Sequence, residues 1–401
     1  MKTKLFRITT VPISLEKLLR GQHHFMSENG FEVTGVSSQG IELENVKKAE
    51  GIKTHAVEMT RTISIFKDLK SLWELYRYIK KEKPEIIHTH TPKAGIVGML
   101  AAKFAGVPIR LHTVAGMPLM ESGGWKRKVL LAVEQLTYRC ATKVYPNSKG
   151  LYDFIIKENI VNPKKLKIIA NGSSNGIDTS FFDPTLYSTE QNLKLRESLG
   201  IQPNDFVFIF VGRLVSHKGI NELVNAFCQL QKNLKSKNEK SPKLLLVGPQ
   251  EEELDPLSKA TLSQMQNNMD IINLGFQKEV RPFFAISNAL VFPSYREGFP
   301  NVVMQAGAMG LPCIVSDING CNEIISDGDN GLIIPPKNSE ILASKMQLLL
   351  ENHELYLKLK SNARERISSR YQQSVVWEAI LEEYHALLSK NGQLPASKFQ
   401  D

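Results

Sequence analysis

The sequence predicts an α/β chain of two Rossmann-like, doubly wound domains facing a central cleft. Three observations predict it. Short continuous apolar runs alternate with helix-like stretches along most of the chain, the pattern of parallel strands covered on both faces. The alternation lapses in a polar stretch near 183–204, which carries Pro184 and Pro203, and restarts at Phe206. The length of 401 residues suits two such domains, at roughly 100–200 residues each. The expected division is 1–195, 196–375, and a closing helix in 376–401 that returns to the first domain.

In chain order, the first series of strands is Leu5–Thr10, Glu32–Ser37, Ile86–His90, Ile109–Thr113, Lys143–Pro146 and Lys167–Ile169. Leu15–Asn29, Phe66–Glu82, Lys93–Ala105 and Lys126–Arg139 read as the helices between them. The second series opens with Phe206–Val211, an uninterrupted apolar strand, and the helix-like Lys218–Gln231. Leu244–Val247, Ile271–Leu274 and Leu290–Phe292 follow as strands, and Asn301–Met309 as a helix. The lysine-rich stretch 232–241 reads as a solvated loop. Trp377, Ile380, Leu381, Tyr384, Leu387 and Leu388 recur at helical spacing as packing residues of the closing helix.

With 42% hydrophobic and 23% charged residues, the chain is neither disordered nor collagen-like nor polytopic. No stretch reaches the roughly 18–20 apolar residues that span a bilayer, and Gly95 to Ile109 is broken by Lys103. Arg7 interrupts the apolar start at Leu5-Phe6, so no signal-peptide core forms and a cytoplasmic location is expected. The four cysteines lack CxxC spacing, which argues against a structural zinc or a disulfide scaffold. Cys313 and Cys321 could pair, but reduced thiols are the expectation.

The net charge is +9, and residues 101–170 hold most of the excess, with twelve Lys and Arg against four acids. Such a patch attracts a membrane surface, a polyphosphate or a nucleic acid, or is a solvated face. Trp125-Lys126-Arg127-Lys128 opens a helix with three cations, against the helix dipole, beside an aromatic residue. That composition suits an anionic membrane surface. No zinc module, aromatic-rich RNA motif or recognition helix is evident, so nucleic acid is not expected.

Two segments carry chemistry. In Val211-Gly212-Arg213-Leu214-Val215-Ser216-His217-Lys218-Gly219, Arg213 and Lys218 flank a turn between a buried strand and a helix. Arg offers a fork and Lys a point charge to a diphosphate. In Pro293-Ser294-Tyr295-Arg296-Glu297-Gly298-Phe299-Pro300-Asn301, a helix begins at Asn301, and helix starts bind anions through unpaired amides. Glu297 stands just before it and Gln305 about two turns along it. A carboxylate and an amide so placed can hydrogen-bond ligand hydroxyls.

These segments together resemble the retaining family-4 glycosyltransferases of the GT-B type. VGRLVSHKG, PSYREGFPNVVMQAGAMGLP and DINGCNEII carry the resemblance in the second half. IIHTHTPKAGIVG, LHTVAGMP, YPNSKGL and NGIDTSFF carry it in the first. The combination is closest to bacterial capsule and O-antigen enzymes that extend a polyprenyl-diphosphate-linked sugar.

The resemblance implies that Arg213 and Lys218 hold the diphosphate of a nucleotide sugar, with the amides of Asn301 and Val302 on the distal phosphate. Glu297, with Gly298 and Phe299, would contact the donor sugar, and His112 would assist at the reacting centre. Glu323 is a weaker candidate. Gln305 falls where the family's Glu-x7-Glu motif has its second acid, which bonds the ribose. A neutral amide forgoes a charge-assisted bond, so weaker ribose binding is expected rather than lost activity. The glycine pair common after the first strand is missing. Thr9-Thr10-Val11-Pro12-Ile13-Ser14 stands there, with Ser14 as a potential helix cap and Lys17 on the first turn.

The implied activity is transfer of a sugar, with retained anomeric configuration, from a nucleotide diphosphate sugar, by analogy a UDP-sugar, to a hydroxyl of a lipid-linked oligosaccharide. No cofactor or metal is expected. The enzyme would sit at the inner face of the cytoplasmic membrane. A nucleotide-sugar 2-epimerase and a non-catalytic sugar-nucleotide-binding scaffold are the alternatives. His88 and His90 lack a nearby acid or cysteine to complete a metal site, and Asp327-Gly328-Asp329-Asn330-Gly331 reads as a tight turn.

Overall fold

The computed structural model describes residues 2–60, 64–237, 239–251 and 255–392. It divides into two compact units, Met1–Gly176 with Gln373–Asp401, and Ile177–Gln372.

The first unit runs β1 (Thr3–Ile8), α1 (Pro12–Leu18), α2 (Gln22–Glu28), β2 (Phe31–Ser37), α3 (Ile41–Glu50), β3 (Lys53–Ala56), α4 (Ile65–Glu82), β4 (Ile86–Thr89), α5 (Pro92–Ala105), β5 (Ile109–Val114), α6 (Gly124–Cys140), β6 (Lys143–Pro146) and α7 (Lys149–Lys157). Its six strands lie in the order β3-β2-β1-β4-β5-β6, with every pairing parallel. Parallel strands need crossovers, and the helices that supply them cover both faces. One face buries Leu75, Ile79, Val97, Met99, Leu151 and Ile155 of the helices from α4 to α7. The other buries Leu15, Met26, Leu43 and Val46 of the first three helices.

The second unit runs α8 (Thr189–Ser198), β7 (Val207–Val211), α9 (Ile220–Ser236), β8 (Lys243–Val247), α10 (Lys259–Asn267), β9 (Ile271–Gly275), α11 (Arg281–Ala285), β10 (Ala289–Phe292), α12 (Asn301–Ala308), β11 (Cys313–Ser316), α13 (Cys321–Ile324), β12 (Gly331–Ile334), α14 (Ser339–Glu351) and α15 (His353–Tyr371). Its sheet has the order β12-β11-β10-β7-β8-β9, again parallel. In both orders the sequence reverses direction beside the first strand, the switch point where doubly wound sheets bind ligands.

The chain closes with α16 (Gln373–Lys390), which packs in the first unit through Val376, Ile380, Tyr384, Leu387 and Leu388. Polar bonds reinforce that packing. The Tyr384 hydroxyl lies 2.6 Å from His88 Nδ1, and Tyr145 donates to Glu383 at 3.1 Å. Residues 393–401 lie outside the described chain.

Several expectations need correction. The first division falls after Gly176, not near 195. Ile177 donates its N–H to Tyr371 O at 2.7 Å, and the Arg196 guanidinium bonds Ile286 O at 2.6 Å. Both bonds hold segment 177–204 in the second unit, where α8 begins with a capping box of Ser188 and Gln191. The closing helix starts at Gln373. Leu15–Asn29 is two helices broken at Gly21, whose φ is +78°. Ser14 lies inside α1 rather than capping it. Lys167–Ile169 forms no strand, and only Leu166 bridges to Val144. The lysine-rich stretch remains helical to Ser236 because Leu234 is buried beneath it; Asn238 lies outside the described residues.

Arg364 on α15 fastens the start of the second unit to its core. It donates to Phe182 O at 2.8 Å, Thr179 O at 2.9 Å and Asp183 at 3.0 Å, and also to Ala308 O. Arg364→Ala leaves those acceptors without their donor and should cost about 2–3 kcal/mol in urea unfolding. A loss below about 0.5 kcal/mol would show that water replaces the guanidinium.

Candidate active site

The second unit presents its candidate residues where β7 and β10 end. After β7 the chain makes a one-turn 3-10 helix, Ser216–Lys218, and then Gly219 in the left-handed region with φ +74°. Only glycine fits there, because a Cβ would stand 2.1 Å from Pro293 O. The close approach brings the Lys218 turn against the end of β10. Lys218 Nζ donates to Glu297 Oε1 and lies 5.4 Å from the Phe292 ring centre. Both side chains are mostly buried, with 16% and 15% of their surface exposed. Ser294 Oγ donates to the same Glu297 oxygen at 2.9 Å. Asn319 Nδ2 donates to Glu297 O at 3.1 Å and Gly298 O at 2.7 Å, fixing the backbone that leads on from the carboxylate residue.

Arg213 does not share this pair. It is exposed and bonds Glu251 at 2.7 Å. His217 Nε2 lies 3.4 Å from its guanidinium, and His217 Nδ1 lies 2.5 Å from Asp255. The Asp255 carboxylate also accepts the His217 N–H at 2.8 Å; these contacts hold it below its ordinary pKa despite burial, which pushes the other way. Arg213, His217, Glu251, Asp255, Tyr295, Arg296 and Lys337 line an open pocket of about 540 Å³. Each expected diphosphate cation thus has its own carboxylate.

Helix α12 begins at Asn301 with Pro300 as its cap residue and no side-chain cap. Asn301 is exposed, and Val302 and Gln305 are partly exposed along the first turns. Phe299 is partly buried, its ring 5.4 Å from that of Tyr371 and packed against the core of the second unit. Glu323 lies in the short α13, and its carbonyl accepts from Tyr371 at 2.9 Å.

His112 stands near the carboxyl end of β5 in the first unit and is 3% exposed. Thr89 Oγ1 lies 2.7 Å from its Nδ1. Gly95 on α5 closes over the ring, where a Cβ would stand 2.6 Å from His112 Cε1. Burial lowers the His112 pKa to about 4, so the ring is neutral at pH 7. His88 and His90 are also buried and held well below the ordinary value, first by desolvation and then by nearby cations and rings, Arg7 among them. His88 bonds Tyr384 and Thr113, which makes it a packing residue.

Much of the basic excess is spent structurally. Lys165 donates to the carbonyls of Tyr138, Arg139 and Ala141 at the end of α6. Arg110 bonds Cys140 O and Val107 O. Arg127, expected to face a membrane, is partly exposed and bonds Leu119 O at 2.9 Å and Glu158 at 2.6 Å. Trp125, Lys126 and Lys128 remain exposed, Trp125 at 78%. All four cysteines are free thiols. Among the described residues no group of three or more His, Cys, Asp or Glu could hold a metal ion, and no helix is long and apolar enough to cross a membrane. Asp327 and Gly331 bridge around Gly328 at φ +72°, which makes that segment a turn.

The sequence reading missed Ser294, Asn319, Glu251 and Asp255. Ser294 and Asn319 lie inside the motifs quoted above. Asp255 and Glu251 lie about forty residues from Arg213 with no local signal, and only the β7–β8 pairing explains their approach.

The buried histidines make an acid-stability prediction. His23 is pulled to about 3 and His112 to about 4, chiefly by burial, while the unfolded chain titrates near 6.5. Between those values the unfolded state binds more protons than the folded one. Stability is therefore complete above about pH 6.5 and lost as pH falls, at up to about 1.4 kcal/mol per pH unit for each such histidine. Urea unfolding at pH 7 and pH 5 reads this directly, and equal stability at both would contradict it.

Residues 20–172 match the glycosyl transferase 4-like domain, and residues 191–366 match glycosyl transferases group 1. The chain is 33% identical to the capsular polysaccharide biosynthesis glycosyltransferase CapM of Staphylococcus aureus, over 97% of this chain and 98% of that one. It is 32% identical to the UDP-Gal:alpha-D-GlcNAc-diphosphoundecaprenol alpha-1,3-galactosyltransferase of Escherichia coli, over 77% of each. Anabaena Alr3699/HepE, solved in complex with UDP and glucose, superposes with a TM-score of 0.78 at 20% identity, covering 96% of this chain and 100% of that one. The two parallel sheets, the Lys218–Glu297 site and these similarities together make the chain a member of the group 1, family-4 glycosyltransferases with the GT-B fold.

Proposed function

We propose that the chain transfers a sugar, with retention at the anomeric carbon, from a UDP-sugar to a hydroxyl of a polyprenyl-diphosphate-linked glycan in capsule, O-antigen or exopolysaccharide synthesis. The observation that carries the reading is the Lys218–Glu297 pair beside the uncapped start of α12. It sets a cation, a carboxylate and unpaired amides within one turn-rich corner. The names of the relatives, a capsule enzyme and a galactosyltransferase acting on a diphosphoundecaprenol-linked sugar, support the donor and acceptor classes.

In this reading the leaving diphosphate takes over Lys218 and the amides of Asn301 and Val302, with Arg213 turning to it from Glu251. Charge that grows on the leaving oxygen meets donors already in place, the source of most electrostatic catalysis. Glu297, released from Lys218, accepts hydrogen bonds from the donor sugar, with Gly298 as backbone support. Gln305 meets the ribose diol as a neutral amide. His112, neutral at pH 7, offers a hydrogen bond to the transferred sugar without adding a cation. The acceptor hydroxyl attacks from the leaving-group side and passes its proton to the departing phosphate. The protein supplies position and charge stabilisation, with no resident metal or cofactor. The enzyme works at the inner face of the cytoplasmic membrane, with Trp125, Lys126 and Lys128 against anionic lipid.

Labelled UDP-sugars, incubated with and without a lipid-diphosphate sugar acceptor, test the reading. Transfer that needs the acceptor is expected. Epimerised nucleotide sugar without acceptor, or no reaction with any donor, would overturn it. Lys218→Ala should slow turnover by about 10²–10³-fold, comparable to losing one preorganised donor. Near-normal kinetics in that variant would remove Lys218 from the chemistry.

A further inference from the structure

Arg213 leaves the end of β7 as a long side chain with 47% of its surface in water. Such a side chain has rotamer freedom to lose when it grips a ligand. The structure surrounds it with more order than an exposed arginine needs. Its Nη1 donates to Glu251 at 2.7 Å, and its Nη2 faces His217 Nε2 at 3.4 Å. The two contacts use different nitrogens of the fork, so letting go of Glu251 does not require letting go of His217.

His217 is itself fixed on three sides. Its N–H donates to Asp255 Oδ2 at 2.8 Å, and its ring Nδ1 lies 2.5 Å from the same oxygen. Its carbonyl accepts from the Tyr295 N–H at 2.9 Å. Asp255 is anchored in turn, because its own carbonyl accepts from the Ser216 N–H at 3.2 Å. The loops after β7 and β8 are also joined by Leu214, whose N–H donates to Pro249 O at 2.8 Å. With only 20% of its side chain exposed, the imidazole is held in one orientation.

Chemistry decides which ring nitrogen carries the proton. The Asp255 carboxylate, kept ionised by its bonds to His217, only accepts, so Nδ1 carries the hydrogen that it takes. The neutral ring then has its lone pair on Nε2, and Nε2 faces a guanidinium, which only donates. Acceptor and donor are matched along the whole series Asp255, His217, Arg213. A histidine whose lone pair is turned to an arginine is not placed to take a proton from a substrate hydroxyl. Lys218, next in sequence, has Glu297 as its own partner, so the series ends at Arg213.

We propose that the His217–Asp255 pair is a positioning device for Arg213, holding Nη2 of the guanidinium while Nη1 passes from Glu251 to the diphosphate of the donor. The inference rests on the function proposed above for the role of Arg213 as a diphosphate ligand. His217 and Asp255 act through the arginine and touch no substrate atom themselves.

Calorimetric titration of UDP tests it in a double-mutant cycle of the wild type, Arg213→Ala, His217→Asn and the double variant, with His217→Gln beside them. Asparagine keeps an amide donor where Nδ1 bonds Asp255 and has nothing at the place of Nε2. Glutamine reaches that place with an acceptor. Arg213→Ala should weaken UDP by about tenfold, the loss of one charge-assisted contact. His217→Asn should weaken it by about threefold to tenfold while Arg213 is present, and by less than about twofold once Arg213 is gone. His217→Gln should recover most of the loss. A damaged loop would lower affinity in both backgrounds, so the cycle separates positioning from misfolding. Equal losses from His217→Asn with and without Arg213, no loss at all, or a His217→Gln variant as weak as His217→Asn would overturn the proposal and leave the enzymatic reading standing. No effect of Arg213→Ala, or no affinity of the wild type for UDP, would instead remove the diphosphate role of Arg213 and the proposal with it.

Discussion

The second unit is organised around one contact, the bond between Lys218 and Glu297. Its formation requires a backbone with no side chain at Gly219, because the lysine turn rides directly on the carbonyl of Pro293. It requires Ser294 and Asn319 to hold the carboxylate and its backbone in place. The result is a pair of mostly buried opposite charges that neutralise each other in the free protein. A site built this way avoids the cost of an isolated buried charge. In the function proposed above it makes diphosphate binding an exchange, in which a phosphate displaces a carboxylate.

The first unit solves a different problem. Its interior holds Arg7, His88, His90 and Tyr384 in one hydrogen-bonded cluster, with His90 Nε2 accepting from Arg7 at 3.2 Å. Tyr384 belongs to the last helix, so the far end of the chain completes the polar core begun by β1. The same burial that keeps these histidines neutral keeps His112 neutral. The consequence is a unit whose stability depends on pH.

The strands with long apolar runs, such as Phe206–Val211 and Ile109–Thr113, were legible because parallel strands bury both faces. Strand β3, Lys53-Thr54-His55-Ala56, was not, because an edge strand that is half exposed carries no apolar run. β11 and β12 are no shorter than β6 and β10 but begin at Cys313 and Gly331, residues that do not mark the start of an apolar strand. The candidate site was legible through its motifs, which placed Lys218, Glu297 and Asn301 in the chain. What the motifs withheld was pairing. That Lys218 faces Glu297 while Arg213 faces Glu251 follows from how β7, β8 and β10 lie side by side, which no local spacing reports. The basic patch misled in the same way, since Lys165, Arg110 and Arg127 look solvated in sequence but cap carbonyls or pair in space.

Calorimetric titration of UDP into the wild-type protein and Glu297→Gln addresses the exchange most directly. With the carboxylate neutralised, Lys218 is free before the ligand arrives. The variant should then bind UDP more tightly than the wild type, by up to about tenfold, since about 1.4 kcal/mol corresponds to one decade. Equal or weaker binding in the variant, or no affinity for UDP in the wild type, would contradict a lysine held in reserve by its carboxylate.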